Sequence, residues 1–150
     1  MPLIPDKSID LILCDLPYQM TNCTWDSLIP FEPLWKEYRR IIKDRGAIVL
    51  TASQPFTSAL VMSNPKMFRY EWIWEKNVNS NFQNAKNQPL KHHESILVFY
   101  KKKGVYSPQN LIELEQPITK SNRRSRRLNH VHGVTGETYV QTHTGYPKSI

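Results

Sequence analysis

A nearly unbroken apolar run, Ile9-Asp10-Leu11-Ile12-Leu13-Cys14, leads without a spacer into Asp15-Leu16-Pro17-Tyr18. Runs of this length and composition fit a strand buried on both faces, as in a parallel sheet. Asp10 is the one discordant residue, placed near the strand's start. Pro17 lacks a backbone donor and ends the ladder. An acid, a rigid turn and an aromatic ring therefore fall at the carboxyl end of a strand, where ligands collect in open α/β sheets.

The rest of the chain supplies partners for that strand. Leu34, Trp35, Tyr38, Ile41 and Ile42 recur at helical spacing between residues 31 and 43, with Pro33 in the first turn and Gly46 after the basic end. Ala47-Ile48-Val49-Leu50-Thr51 reads as a second buried strand, and residues 54–62 as a short helix stopped by Asn64-Pro65. Tyr70-Glu71-Trp72-Ile73-Trp74-Glu75 reads as a third strand, and Glu94-Ser95-Ile96-Leu97-Val98-Phe99-Tyr100 as a fourth, halted by Lys101-Lys102-Lys103-Gly104. Residues 77–90 are polar, asparagine-rich and aperiodic, a long loop of a kind that is usually functional or disordered. Strand, helix, strand, helix, strand, strand is the order of an α/β layer with an antiparallel element at its end. The pattern dissolves after about Val105, so residues 1–105 are expected to form the catalytic α/β part and 106–150 an irregular segment.

Charge narrows the partners. Twenty Lys and Arg against 13 Asp and Glu give a formal net charge of +7, which favours a polyanion such as nucleic acid. Arg123, Arg124, Arg126 and Arg127 concentrate part of it. Cys14 and Cys23 make neither a disulfide framework nor a metal site, and a reduced, cytoplasmic compartment is expected. No run approaches a membrane span, and residues 1–6 lack the pattern of a signal peptide. Neighbouring His92 and His93 point to opposite faces of a strand, so no shared metal is expected. Trp25, Trp72 and Trp74 are read as core residues.

The chemistry of the 15–18 turn suits an amino-bearing base. The Asp15 carboxylate can accept a hydrogen bond from an amino group, and the turn fixed by Pro17 leaves backbone carbonyls free to accept a second. The flat face of Tyr18 stacks on a base, an interaction worth about 1–3 kcal/mol.

Residues 9–18 closely resemble the strand and Asp-Pro-Pro-Tyr motif of DNA amino-methyltransferases, with leucine in second place as in phage-like members. Thr24-Trp25-Asp26, Pro33-Leu34-Trp35, Gly46-Ala47-Ile48-Val49-Leu50, Trp72-Ile73-Trp74-Glu75-Lys76, His93-Glu94-Ser95-Ile96-Leu97-Val98-Phe99 and Gly145-Tyr146-Pro147-Lys148-Ser149-Ile150 are similar to that family too, in the same order. The resemblance implies half of a Rossmann-like methyltransferase sheet, about four strands with two helices, followed by a partial target-recognition segment. It implies Asp15, Leu16, Pro17 and Tyr18 as catalytic residues, with Asp15 also on the cofactor side. S-adenosylmethionine (SAM) is then the methyl donor and double-stranded DNA the substrate, as in restriction-modification. Tyr18 and the four arginines face nucleic acid. Aspartate in first place resembles adenine-N6 enzymes, whereas cytosine-N4 enzymes more often begin with serine.

One departure is plain. The family cradles SAM in a Phe-x-Gly-x-Gly loop, and none of the five glycines here stands in such a run. In members with the catalytic motif first, that loop follows the recognition region. The sequence is thus expected to be an N-terminal part, working as a homo-oligomer or with a partner chain carrying the cofactor half. An inactive DNA-binding remnant is the alternative. A plain RNA-binding α/β module leaves Asp15 without a role.

Overall fold

A computed structural model describes residues 1, 3–21, 23–121 and 138–149. Met1–Val105, joined by Ser149, make one compact unit and Tyr106–Lys148 a second. No described helix is long and apolar enough to cross a membrane.

In the first unit, β1 (Ile9–Asp15) runs parallel to β2 (Ile42–Ala52), and α1 (Phe31–Ile41) joins them. After α2 (Phe56–Ser63), β3 (Phe68–Ser80) and β4 (Lys91–Phe99) complete a four-stranded sheet of order β1-β2-β4-β3. The β2–β4 and β3–β4 pairs are antiparallel, so the mixed α/β class expected from the residues is the one found.

Both helices pack on one face of this sheet. Ile48, Leu50 and Ala52 alternate along β2, and with Leu97 and Phe99 of β4 they meet Leu34, Trp35 and Tyr38 of α1 and Phe56 and Leu60 of α2. Trp35 is 1% exposed and lies 4.9 Å from Phe99, centroid to centroid. Its indole N–H donates to Ser63 Oγ at 2.7 Å, tying α1 to α2 without leaving a buried donor unpaired. Truncating such a side chain to alanine costs about 3–5 kcal/mol.

Four expectations need correction. β1 is an edge strand rather than one buried on both faces: Ile12 and Cys14 pack on the core, while Leu11 and Leu13 are 55% and 69% exposed. The first helix ends at Ile41, because Ile42 is already extended (φ −74°, ψ 136°) and pairs with Ile9. Its β-branched side chain suits a strand, and at 1% exposure it is core. Gly46 therefore lies inside β2 rather than capping a helix. A Cβ there would sit 2.8 Å from the Asp10 carbonyl oxygen, so close strand approach is what requires glycine. The three tryptophans read as core, Trp25, Trp72 and Trp74, are 70%, 37% and 49% exposed. On β3 the alternation Tyr70, Trp72, Trp74 puts these rings on the sheet face away from the helices, in register with Val98, Ile96 and Glu94.

The fourth correction concerns the second unit. Where no pattern was expected, β5 (Ile112–Ser121) pairs antiparallel with β6 (Thr138–Thr144). The β5 register shifts between Glu113 and Ile118, the interval that contains Pro117. An irregularity there accommodates a residue with no N–H to give.

Candidate functional site

The site begins with the register of the parallel pair. Asp15, the last residue of β1, stands opposite Thr51 of β2, so both side chains emerge at the carboxyl end of the two strands on one face. Leu16 turns the other way and is buried at 5% exposure. That anchor leaves Asp15 exposed while fixing the backbone beneath it.

Pro17 turns the chain so that Tyr18 folds back over the strand ends. The Tyr18 hydroxyl lies 2.5 Å from Asp15 Oδ1 and 2.7 Å from Thr51 Oγ1. The Thr51 hydroxyl itself donates to Asp15 Oδ1, closing a three-membered cluster. Burial, and next the hydrogen bond to Asp15, push the Tyr18 phenol well above its ordinary pKa, against a smaller opposing effect of Thr51. The Tyr18 ring stacks on Phe56, the first residue of α2, with centroids 5.2 Å apart and planes at 28°. Phe31, the first residue of α1, lies 5.8 Å from Phe56 on a tilted ring. The amino ends of both helices thus support the tyrosine.

The loop that follows is organised by Asp26, which is 6% exposed. One carboxylate oxygen accepts from the Gln19 N–H at 2.8 Å. The other accepts from the N–H groups of Met20 (2.8 Å) and Thr21 (2.7 Å) and from the Thr21 hydroxyl (2.8 Å). Burial acts to raise the Asp26 pKa, but the bonds from Thr21, Gln19 and Met20 outweigh it and hold the carboxyl below its ordinary value. Gln19 takes a left-handed backbone (φ 57°) at the bend this carboxylate ties down.

Of the residues singled out in the sequence, Asp15 and Tyr18 are brought together, with Leu16 and Pro17 as anchor and turn. Arg123, Arg124, Arg126 and Arg127 lie outside the described residues. His92 Nε2 lies 3.4 Å from Glu75 on the neighbouring strand, whereas His93 is exposed. Thr51, Phe56 and Asp26 were missed as parts of the site. Thr51 was legible as the end of a buried strand beside the first, but nothing local marked which hydroxyl would face Asp15.

SAM is tested by the glycines. Gly46 is packed against Asp10 and Ile42, a Cβ at Gly104 would meet the Arg45 carbonyl at 2.7 Å, and Gly145 serves a bend with φ 76°. None of the three stands in a strand-to-helix loop, so the described residues do not form a cradle for that cofactor. What they form is an acceptor cluster beside a stacked aromatic ring.

Comparison with solved structures finds the same fold. The M1.HpyAVI–SAM complex superposes with a TM-score of 0.51 at 19% identity, over 70% of this chain and 53% of that one. The cytosine-N4-specific PvuII DNA methyltransferase gives 0.50 at 12% identity, over 69% and 46%. The chain thus spans about half the length of these two solved relatives. Comparison with curated proteins finds no match. The sequence matches the DNA methylase family over residues 9–148, which covers most of its length, and the chain therefore belongs to the DNA methylase family.

Proposed function

We propose that this chain supplies the target-base side of a site-specific DNA methyltransferase, with the adenine N6 amino group favoured over cytosine N4. The observation that carries the reading is Asp15 at the carboxyl end of β1, next to the Tyr18 hydroxyl at 2.5 Å. The target base leaves the duplex to reach this exposed carboxylate. Asp15 and the carbonyl of Leu16 or Pro17 accept its two amino hydrogens, which directs the nitrogen lone pair away from them. Tyr18 offers a ring for stacking. SAM supplies an already activated methyl group when bound, so positioning of the nitrogen is this chain's contribution. Residues 1–105 then act as the catalytic part and 106–150 as part of target recognition, with the 123–127 arginines on DNA phosphates.

A methylation assay with radiolabelled donor, run beside duplex-binding curves, tests this. In the completed enzyme, with the cofactor half supplied, Asp15→Ala abolishes transfer and leaves duplex affinity nearly intact. Equal activity in wild type and Asp15→Ala removes the catalytic role, and no transfer by either leaves an inactive DNA-binding remnant. Isothermal titration addresses the cofactor: the chain alone binds SAM weakly or not at all, and micromolar binding contradicts a cradle located elsewhere.

A second reading, in which the chain works with another copy or with a partner carrying the cofactor half, is favoured by the edge position of β1 and the exposure of Leu11 and Leu13.

A further inference from the structure

The two oxygens of the Asp15 carboxylate are not equivalent. Oδ1 receives both hydroxyls of the cluster, from Tyr18 at 2.5 Å and from Thr51. Oδ2 accepts no hydrogen bond among the described residues, and the side chain is exposed. An unrestrained aspartate at a strand end samples several rotamers and turns either oxygen outward. Here two donors converge on one oxygen from different elements, Thr51 from β2 across the strand pair and Tyr18 from the turn beyond Pro17. Tyr18 is in turn held by Phe56, and Thr51 by its place in the sheet between Asp15 and Ile96. The restraint on Asp15 therefore comes from groups that are themselves restrained.

We propose that Thr51 is the positioning residue of this site. With Tyr18 it pins Asp15 through Oδ1, so that Oδ2 is the oxygen presented to the exocyclic amino group of the base. The proposal rests on the function assigned to Asp15 above, and it gives a reason for a hydroxyl at position 51. A β-branched residue suits a strand with or without a hydroxyl, and valine would fill the same space. Only the hydroxyl restrains the carboxylate.

The test compares the full chain with Thr51→Val, Thr51→Ser and Asp15→Ala by NMR, using adenosine as the probe and thermal melts to verify folding. Two readouts separate the claims. The first needs no ligand: three-bond couplings across the Asp15 χ1 angle report one dominant rotamer in wild type and Thr51→Ser, and averaging in Thr51→Val. The second is the adenosine titration, in which Thr51→Val weakens binding about five-fold or more, Thr51→Ser restores it and Asp15→Ala loses it. A single Asp15 rotamer in Thr51→Val, with wild-type adenosine affinity, overturns the positioning role and leaves the reading of Asp15 intact. Binding that is the same in Asp15→Ala and wild type, or absent in both, overturns the base-acceptor reading and with it the presentation of Oδ2.

Discussion

The ring of Tyr18 lies on Phe56, 5.2 Å away and 28° from parallel, while its hydroxyl reaches Asp15 and Thr51. One side chain thus joins the amino end of α2 to the carboxyl ends of β1 and β2. The two halves of that link separate by mutation. Tyr18→Phe keeps the stacked ring and removes the donor, so it is expected to cost about 1 kcal/mol in denaturant unfolding. Phe56→Ala removes a ring that is 5% exposed and belongs to the core, and is expected to cost about 3–5 kcal/mol. Equal losses in the two variants would show that the hydroxyl contacts hold the turn as strongly as the packing does.

Asp26 makes the 19–26 loop sensitive to acid. Its folded pKa lies below the ordinary 3.8, because the bonds from Thr21, Gln19 and Met20 outweigh burial. A depressed carboxylate contributes its order above the unfolded pKa and loses it as pH falls through the folded one. The loop is therefore expected to stay tied down at neutral pH and to open only as pH falls below the ordinary carboxylate value, through the lowered pKa of Asp26. Hydrogen exchange at the Gln19, Met20 and Thr21 amides reads this directly. Asp26→Ala is expected to expose the same three amides at neutral pH, and unchanged protection there counts against the assignment.

The β1 edge carries its own prediction. Leu11 and Leu13 are more than half exposed on a strand with one edge unpaired among the described residues, a surface that favours association. Leu11→Lys is expected to shift the protein toward monomer in sedimentation velocity without lowering its melting temperature, since the leucine contributes little to the core. A compact wild-type monomer that is indifferent to the substitution argues against an association surface there.

For the basic cluster the measurable quantity is salt dependence. If Arg123 and Arg124 each neutralise one phosphate, replacing both by alanine flattens the slope of log affinity against log salt by about 0.9 per contact. Binding weakens on all duplex sequences alike, because phosphate contacts position the protein without reading bases. Binding curves at several salt concentrations check this, and an unchanged slope returns the arginines to a solvated surface.

Local pattern determined a good deal of this protein. The strand that ends at Asp15, the helical spacing of Leu34, Trp35 and Tyr38, the alternation along β2 and β4, and the turn at Pro17 follow from periodicity and backbone chemistry that neighbouring residues carry among themselves. The tertiary structure decided what depends on distant partners. Whether Leu11 and Leu13 were buried depended on which strand lay beside β1 and on which face the helices packed, and an apolar run reads the same at an edge as in the centre. The boundary at Ile42 depended on pairing with Ile9, which overrode a helical spacing that continued past it. Tyr70, Trp72 and Trp74 show the same limit: aromatic content predicted a strand, but not that both described α-helices would cover the opposite face. In the site, Asp15 and Tyr18 are close in sequence and were legible together. Thr51 and Phe56 lie more than thirty residues away, and only the parallel register and the packing of α2 bring their side chains to the same carboxylate and the same ring.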